Sequence, residues 1–145
     1  WFILAGLSGR PVTIYGNGKQ VRDVLFVDDL LEAYRKAACR IERVSGKIFN
    51  IGGGRHRQIS ILQLLDTLRE QFGITVHTTF SDWRAGDQKL FVSDISKAQR
   101  ELQWHPKTEI RAGLQSTIEW LRGEGLAAAL CPDGAGYQKP AYGWS

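Results

Sequence analysis

Two arginines next to glycine-containing turns are the residues of this chain best suited to bind an anion. Arg22 follows the Gly-Asn-Gly turn at residues 16–18, and Arg84 opens the Arg-Ala-Gly-Asp run at residues 84–87. A guanidinium is a planar fork of N–H donors that can bind two phosphate oxygens at once. The residue types and their setting therefore make Arg22 and Arg84 candidate contacts for an anionic ligand.

Tyr15 and Asp87 are the other two candidate binding residues. Tyr15 precedes the glycine turn and can place its ring or backbone against a nucleobase, although packing on the core is an equally good interpretation. Asp87 can accept a hydrogen bond from a ribose hydroxyl or hold the Arg84 guanidinium in position. Either role of Asp87 fits the same class of ligand.

Each arginine also has a purely structural interpretation, in which it forms an ion pair with a nearby carboxylate. Arg22 can pair with Asp23 or Asp28, and Arg84 with Asp82 or Asp87. Taken on the residues alone, binding and structural pairing are about equally favoured.

The elements around Arg22 are predicted to run turn, strand, helix. Residues 24–29 are mostly apolar and β-favouring, which predicts a strand. Asp29 and Glu32 have the spacing of a capping pair for a helix that runs to Ile41. We therefore interpret the pair Asp28 and Asp29 as a helix cap and not as a catalytic or metal site.

The remainder of the chain alternates between predicted strands and helices. Ser60 and Gln63 form a capping box for a helix that Gly73 ends. Strands are predicted at 47–51 and 76–80, and further helices at about 95–102 and from a Thr108 cap onwards. The pattern predicts an α/β fold of alternating short strands and helices.

Five segments in order resemble the C-terminal part of the NAD-dependent nucleotide-sugar epimerases and dehydratases, which are extended short-chain dehydrogenases/reductases. No segment is specific alone, but their order over about 120 residues is. The segments are residues 14–23, the Val-Asp-Asp at 27–29, 49–54, the Arg-x-Gly-Asp at 84–87, and 93–98 leading to Trp104 and Pro106. Residues 19–23 and 83–88 most resemble the CDP-paratose (CDP-tyvelose) 2-epimerase branch.

The resemblance implies a ligand, a cofactor and a mechanism. In the family, the arginines that match Arg22 and Arg84 contact the diphosphate of a nucleotide sugar. A tightly bound NAD takes a hydride from the sugar, and the Tyr of a Tyr-x-x-x-Lys pair transfers the proton. We therefore expect a nucleotide-diphosphate sugar as the ligand of this chain.

The catalytic half of the family has two motifs, and the Gly-rich one is not present: residues 52–54 are glycines, but no Gly-x-Gly-x-x-Gly spacing follows. The Tyr-x-x-x-Lys spacing occurs once, from Tyr15 to Lys19, but two of the three residues between them are glycines, which favours a turn over a helix that would place both side chains on one face. We therefore expect a Rossmann-type fold without its N-terminal dinucleotide-binding unit, no catalytic residue, no bound cofactor and no metal. The alternative is a free-standing, non-catalytic binding or interaction module derived from such an enzyme.

Length and composition predict one small globular unit with an appendage. The 145 residues are 43% apolar, enough for one core, which we assign to residues 1–125. Residues 126–145 are rich in Gly, Pro and Ala and are predicted to be either a mobile tail, which we favour, or a segment that binds a partner. The absence of a signal peptide, of an apolar run of about 20 residues, and of closely spaced cysteines favours a cytoplasmic, membrane-free protein with free thiols.

The net charge of +4 leaves a nucleic-acid partner to be considered. Basic residues cluster on the helix at 35–43 and in the loop at 55–57, but no nucleic-acid-binding motif accompanies them. We favour a solvated helix face and a polar loop. The apolar opening at residues 1–4 predicts self-association, because it would lie uncovered without the rest of the family fold.

Overall fold

The computed structural model describes residues 1–125, in which helices and short strands alternate. The predicted tail at 126–145 lies outside the described residues. The helices are α1 (Phe2–Ser8), α2 (Val27–Ala38), α3 (Ile41–Val44), α4 (Ile61–Phe72), α5 (Ser96–Glu101) and α6 (Ile110–Trp120); the strands are β1 (Val12–Tyr15), β2 (Val21–Asp23), β3 (Gln58–Ser60), β4 (Thr78–Ser81) and β5 (Leu90–Phe91). A 3₁₀ turn spans Arg55–Arg57 and a π-helical turn spans Leu121–Gly125.

The strands form two small sheets. β1 pairs in parallel with β4, and Tyr15 lies opposite Ser81. β2 is the central strand of the other sheet, antiparallel to β3 and parallel to β5. The predicted α/β class is confirmed, and the Arg22 backbone is held between two neighbouring strands.

Two apolar clusters fill the interior. Trp104 is 1% exposed in a cluster with Ala33 of α2 and Ala98 of α5, and its indole N–H donates to the Asp29 carbonyl at 2.8 Å. The second cluster contains Leu68 of α4 and residues of α1, α6 and the segment before β4. Burial of this apolar surface is the main stabilising term of the fold.

The predicted α4 is confirmed with both of its caps. The Ser60 hydroxyl accepts from the Gln63 N–H, the Gln63 side chain accepts from the Ser60 N–H, and Gly73 ends the helix with φ +64°. The helix predicted near residues 95–102 is also present as α5. The capping box and the glycine C-cap are local features, so the sequence alone was enough to place α4.

The strand predicted at residues 24–29 is wrong. β2 ends at Asp23, the chain leaves the sheet where the Val24 N–H donates to the Arg57 carbonyl, and α2 begins at Val27. Asp29 therefore lies inside the first turn of α2 and is not its N-cap. Asp29 is 6% exposed, and its carboxylate accepts from the N–H groups of Lys107 and Thr108, both at 2.9 Å.

Three other predicted boundaries differ from the structure. Residues 47–51 form no strand in the described part of the chain, and Ile48 is 83% exposed. A β-favouring sequence forms a strand only where a partner strand is present to bond with it. Thr108 does not cap α6, whose N-cap is Glu109. β4 is shifted towards Ser81 relative to the prediction. No helix in the described residues is long and apolar enough to cross a membrane.

Candidate functional site

All four predicted binding residues line one cavity of about 390 Å³ between the two sheets and the start of α4. Tyr15 comes from β1, Arg22 from β2, and Arg84 and Asp87 from the loop that follows β4. This cavity is smaller than the groove of about 920 Å³ beside the 55–57 turn, but only the smaller one contains predicted site residues. Its other lining residues include Phe2, Gln20, Val24, Ile59, Ser60, Ile61, Leu64, Trp83 and Gln88.

Arg22 is held by the protein backbone and not by a carboxylate. Its Nη1 donates to the Val21 carbonyl at 2.8 Å and its Nη2 to the Gln88 carbonyl at 2.7 Å. The alternative pairing with Asp23 or Asp28 is not found, since the Asp23 carboxylate instead accepts from the Gly54 N–H at 3.0 Å. Two neutral carbonyls fix the guanidinium, and no carboxylate in the described part of the chain pairs with it.

Arg84 is held by one ring and one carboxylate. Its guanidinium carbon lies 4.5 Å from the centre of the Tyr15 ring, a cation–π distance. Its Nε and Nη2 lie 3.2 and 3.4 Å from the Asp87 carboxylate, so the structural pairing with Asp87 is found. The Arg84 side chain is 65% exposed, and a pair this open to water adds little stability.

The glycine turn brings the Arg84 loop against β1. Gly16 has φ +85°, and a methyl group added at its Cα would overlap the Trp83 indole. The Gly16 N–H also donates to the Ser81 carbonyl at 2.8 Å. Glycine is therefore required at residue 16 both for its backbone conformation and for the close approach of Trp83.

The N-terminus of α4 adds positive potential at the cavity wall. Ser60 and Ile61, the N-cap and first residue of this 12-residue helix, both line the cavity. The aligned peptide dipoles of a helix place partial positive charge at its N-terminus. Two guanidiniums and a helix N-terminus around one cavity favour an anionic ligand, and Asp87 is the only carboxylate among the described lining residues.

Gln20 is a cavity residue that the sequence analysis missed. Its Nε2 donates to the Tyr15 carbonyl at 2.9 Å, and its Oε1 is buried without a hydrogen-bond partner among the described residues. A buried acceptor without a partner costs free energy. The available signal was its spacing, since Gln20 precedes Arg22 by two residues and so shares its side of an extended chain.

The glycines at residues 52–54 do not fit a dinucleotide phosphate site. A methyl group at Gly53 would overlap the Val24 carbonyl, and the Gly54 N–H is already bound to Asp23. The segment that follows is a three-residue 3₁₀ turn, whereas a pyrophosphate site of this type needs the N-terminus of a full helix. These glycines pack a loop against the end of β2.

The basic residues of α2 and of the turn after it contact protein groups. Arg35 forms a two-point pair with Glu32, Lys36 donates to the Gln103 carbonyl, and Arg40 donates to the Gln103 side chain. The predicted fully solvated face is thus only partly correct. The described residues also contain no group of His, Cys, Asp and Glu that could hold a metal ion.

Known proteins resemble this chain in sequence. The sequence profile of a family described as GDP-mannose 4,6 dehydratase matches residues 2–117. The chain is 38% identical to CDP-paratose 2-epimerase of Salmonella typhi over 111 residues, which are 77% of this chain and 33% of that protein. It is 32% identical to dTDP-glucose 4,6-dehydratase of Neisseria gonorrhoeae, covering 81% of this chain and 36% of that protein.

Solved structures give the same result. UDP-glucuronic acid 4-epimerase from Bacillus cereus, in complex with UDP-glucuronic acid and NAD, superposes with a TM-score of 0.75 at 30% identity over 83% of this chain and 38% of that one. UDP-glucose 4-epimerase from Thermotoga maritima, with UDP-glucose, gives a TM-score of 0.73 at 35% identity over the same two shares.

The chain spans about a third of the length of the relatives that it matches. Within that third, the family profile, the sequence relatives and the superposed folds agree. The chain belongs to the NAD-dependent nucleotide-sugar epimerase/dehydratase family of extended short-chain dehydrogenases/reductases.

Proposed function

We propose that this chain binds the nucleoside diphosphate group of a nucleotide sugar, as one part of an NAD-dependent epimerase or dehydratase. The observation that carries the proposal is the convergence of Arg22 and Arg84 on one cavity whose wall includes the N-terminus of α4. A diphosphate carries negative charge on several oxygens, and each guanidinium can bind two of them. Hydrogen bonds to charged groups contribute about 1.5–3 kcal/mol each.

Preorganisation supports the role of Arg22. Its two bonds to the carbonyls of Val21 and Gln88 restrict the side chain before any ligand arrives, and its other N–H donors stay available. A side chain that is already ordered loses less entropy on binding. Because no carboxylate among residues 1–125 pairs with Arg22, its charge can act on an incoming diphosphate.

Arg84, Tyr15 and Asp87 form the other side of the proposed site. Stacking on Tyr15 fixes the plane of the Arg84 guanidinium, and Asp87 holds it from the side. With its remaining lone pairs, Asp87 can accept from a ribose hydroxyl of the same ligand.

The substrate class is supported by what the relatives bind. The Bacillus cereus structure contains UDP-glucuronic acid with NAD, and the Thermotoga maritima structure contains UDP-glucose. A bound nucleotide handle supplies remote binding energy that positions the sugar for reaction.

We further propose that this chain is not catalytic by itself. Its one Tyr-x-x-x-Lys spacing, from Tyr15 to Lys19, spans the glycine turn and not a helix, and its glycines at 52–54 are packed against the end of β2. NAD supplies hydride transfer in the family, and no described residue offers it a phosphate site. The residues of this chain would bind and orient the substrate only.

Calorimetric titration tests the binding proposal. UDP, CDP, GDP and dTDP are titrated into the purified chain, followed by UDP-glucose and CDP-glucose. Saturable binding of at least one diphosphate is expected, and a ligand at 100 times its Kd should raise the free energy of unfolding by about 2.7 kcal/mol. The absence of binding by every one of them would refute the proposal. Turnover of a nucleotide sugar with added NAD would refute the non-catalytic role.

A further inference from the structure

A groove of about 920 Å³ lies beside the 55–57 turn, and the proposed function makes no use of it. Its volume falls within the range of about 300–1,000 Å³ that is typical of small-molecule sites. Three segments of the chain line it: residues 53–58, residues 90–99, and His105 with Pro106. We call this cavity the 55–57 groove.

Arg55, His56 and His105 give the 55–57 groove its positive character. All three line it and are exposed. Within residues 1–125, none of the three side chains forms a hydrogen bond or an ion pair with a protein group. A guanidinium and the N–H groups of imidazoles are donors that suit phosphate oxygens. These three side chains are therefore available to an anion that enters the groove.

The turn that carries two of these side chains is anchored at both ends. Before it, the Gly54 N–H donates to the Asp23 carboxylate at 3.0 Å. At its end, Arg57 accepts from the Val24 N–H at 2.9 Å and forms an ion pair with Glu109 at 2.8 Å. A ligand that binds between these anchors does not have to order the backbone first.

The 90–99 side of the groove offers different chemistry. The Gln99 amide can donate and accept hydrogen bonds. The Asp94 carboxylate accepts from the Ser96 N–H at 2.9 Å, and this bond, with the nearby charges of Arg100 and Arg55, holds the pKa of Asp94 below its usual value. An ionised carboxylate repels a phosphate but accepts from a hydroxyl group. A ligand that satisfies both sides of the groove therefore has one phosphate end and one hydroxylated end.

The lining argues against a nucleotide or a nucleic acid as the ligand. Bases bind to proteins largely by stacking on aromatic side chains, and no Phe, Tyr or Trp is among the described residues that line the 55–57 groove. The diphosphate cavity differs, because Tyr15 and Trp83 line it. A dinucleotide pyrophosphate is bound by backbone N–H groups at the start of a full helix, whereas the groups that line this groove are side chains on a 3₁₀ turn.

We propose that the 55–57 groove is a second binding site, for a phosphate monoester that carries hydroxyl groups, such as a sugar phosphate. Arg55, His56 and His105 bind the phosphate, and the hydroxyl groups lie against Asp94. The groove shares no described lining residue with the diphosphate cavity. The second site is therefore independent of the proposed function and can be tested separately from it.

A titration followed by amide NMR shifts tests which ligand binds and where. Glucose 6-phosphate, inorganic phosphate and glucose are added in turn to the isotope-labelled chain. Glucose 6-phosphate should saturate the shifts of amides at 53–58 and 93–96, at lower concentrations than inorganic phosphate, and glucose should leave them unchanged. Shifts confined to the diphosphate cavity, or equal binding of glucose 6-phosphate and inorganic phosphate, would overturn the proposal.

Single substitutions test the residues of the groove. Arg55→Ala and His105→Ala should each weaken glucose 6-phosphate binding by about tenfold, because each removes a contact to a charged group. Arg43→Ala, at an exposed arginine of α3 outside the groove, is the matched control and should bind normally. Arg22→Ala should weaken nucleoside diphosphate binding and leave glucose 6-phosphate binding unchanged. Urea denaturation checks that each variant is folded, and Arg55→Gln replaces the Ala variant if it is not. Equal affinity of the Arg55, His105 and Arg43 variants would overturn the assignment of the groove.

Discussion

The Arg84 guanidinium lies 4.5 Å from the centre of the Tyr15 ring, so the end of β1 sets the position of an arginine 69 residues further along the chain. Tyr15 lies opposite Ser81, and the Arg84 loop begins shortly after that residue. Parallel pairing of β1 and β4 thus places the ring and the cation at the same sheet edge. Ligand affinity should therefore depend on Tyr15 through Arg84.

Two substitutions of Tyr15 should show whether its ring or its hydroxyl contributes to nucleotide affinity. Tyr15→Phe keeps the aromatic face, and we expect nucleotide affinity close to that of the unmodified chain. Tyr15→Ala removes the face and should weaken binding by about 0.5–1 kcal/mol, the value of an exposed cation–π contact. Isothermal titration calorimetry measures both. A large loss in the Phe variant would instead point to the hydroxyl as the contacting group.

Removal of either arginine should weaken diphosphate binding by about 1.5–3 kcal/mol. Arg22→Ala and Arg84→Ala are compared by calorimetry, and Arg→Lys at either position should recover only part of the loss, since an ammonium cannot form the two-point contact. The exposed Arg43→Ala on α3 is the control, because Arg40 contacts Gln103 and is less suitable.

The double variant of Arg22 and Arg84 should show a coupling energy. Both side chains bind one ligand in the proposed site, so their effects on Kd should not add. Arg22→Ala also removes two bonds to backbone carbonyls, and a modest loss of stability by urea denaturation is expected with it. Strictly additive losses in affinity would mean that the two guanidiniums do not share a diphosphate.

The sequence was most informative where structure is decided locally. The box of Ser60 and Gln63 and the C-cap at Gly73 are set by neighbours within one turn, and α4 was placed correctly. Residues 24–29 and 47–51 have similar β-favouring compositions, yet neither forms a strand. A β-strand needs a neighbouring strand to pair with, and the composition of a segment does not show where that neighbour lies in the fold.

The candidate site also combines residues that the sequence predicts with contacts that depend on distant parts of the chain. Tyr15, Arg22, Arg84 and Asp87 were selected by residue type and by resemblance to the family, and they line one cavity. Gln20 is not among the residues predicted from the sequence, because the burial of its Oε1 and its bond to the Tyr15 carbonyl depend on the folded chain. The partners of Asp29 lie 78 and 79 residues away, beyond the reach of any local pattern.

Gly16→Ala should damage both the fold and the site. The backbone at +85° disfavours any side chain by about 1–2 kcal/mol, and the added methyl group would also push Trp83 out of place. We expect a loss of stability in urea denaturation together with weaker nucleotide binding. Gly73→Ala is the control: its φ is +64° but no atom lies near the added methyl group, so stability should fall while affinity is retained. Equal affinity losses in the two variants would contradict a specific role for the Gly16–Trp83 contact.

Asp29→Asn should destabilise the fold in a pH-dependent way. Burial alone would raise the pKa of the Asp29 carboxyl, but the N–H donors of Lys107 and Thr108 and the nearby Arg57 outweigh it and hold the pKa below its usual value. Because the folded-state pKa is the lower one, the ionised group stabilises the fold fully above pH of about 4 and loses this contribution as the pH falls through the folded-state pKa. Asparagine has one acceptor oxygen and its amide nitrogen would face an N–H, so we expect a loss of about 1–3 kcal/mol at neutral pH. Urea denaturation of the unmodified chain and of Asp29→Asn from neutral to acidic pH measures this loss, and the difference in stability between them should shrink on acidification.

Asp28→Asn, at the exposed neighbouring residue, is the control and should change stability by only a few tenths of a kcal/mol through the helix dipole. A gap between wild type and Asp29→Asn that stayed constant across this pH range would show that the charge of Asp29 does not hold α2 to the segment after Trp104.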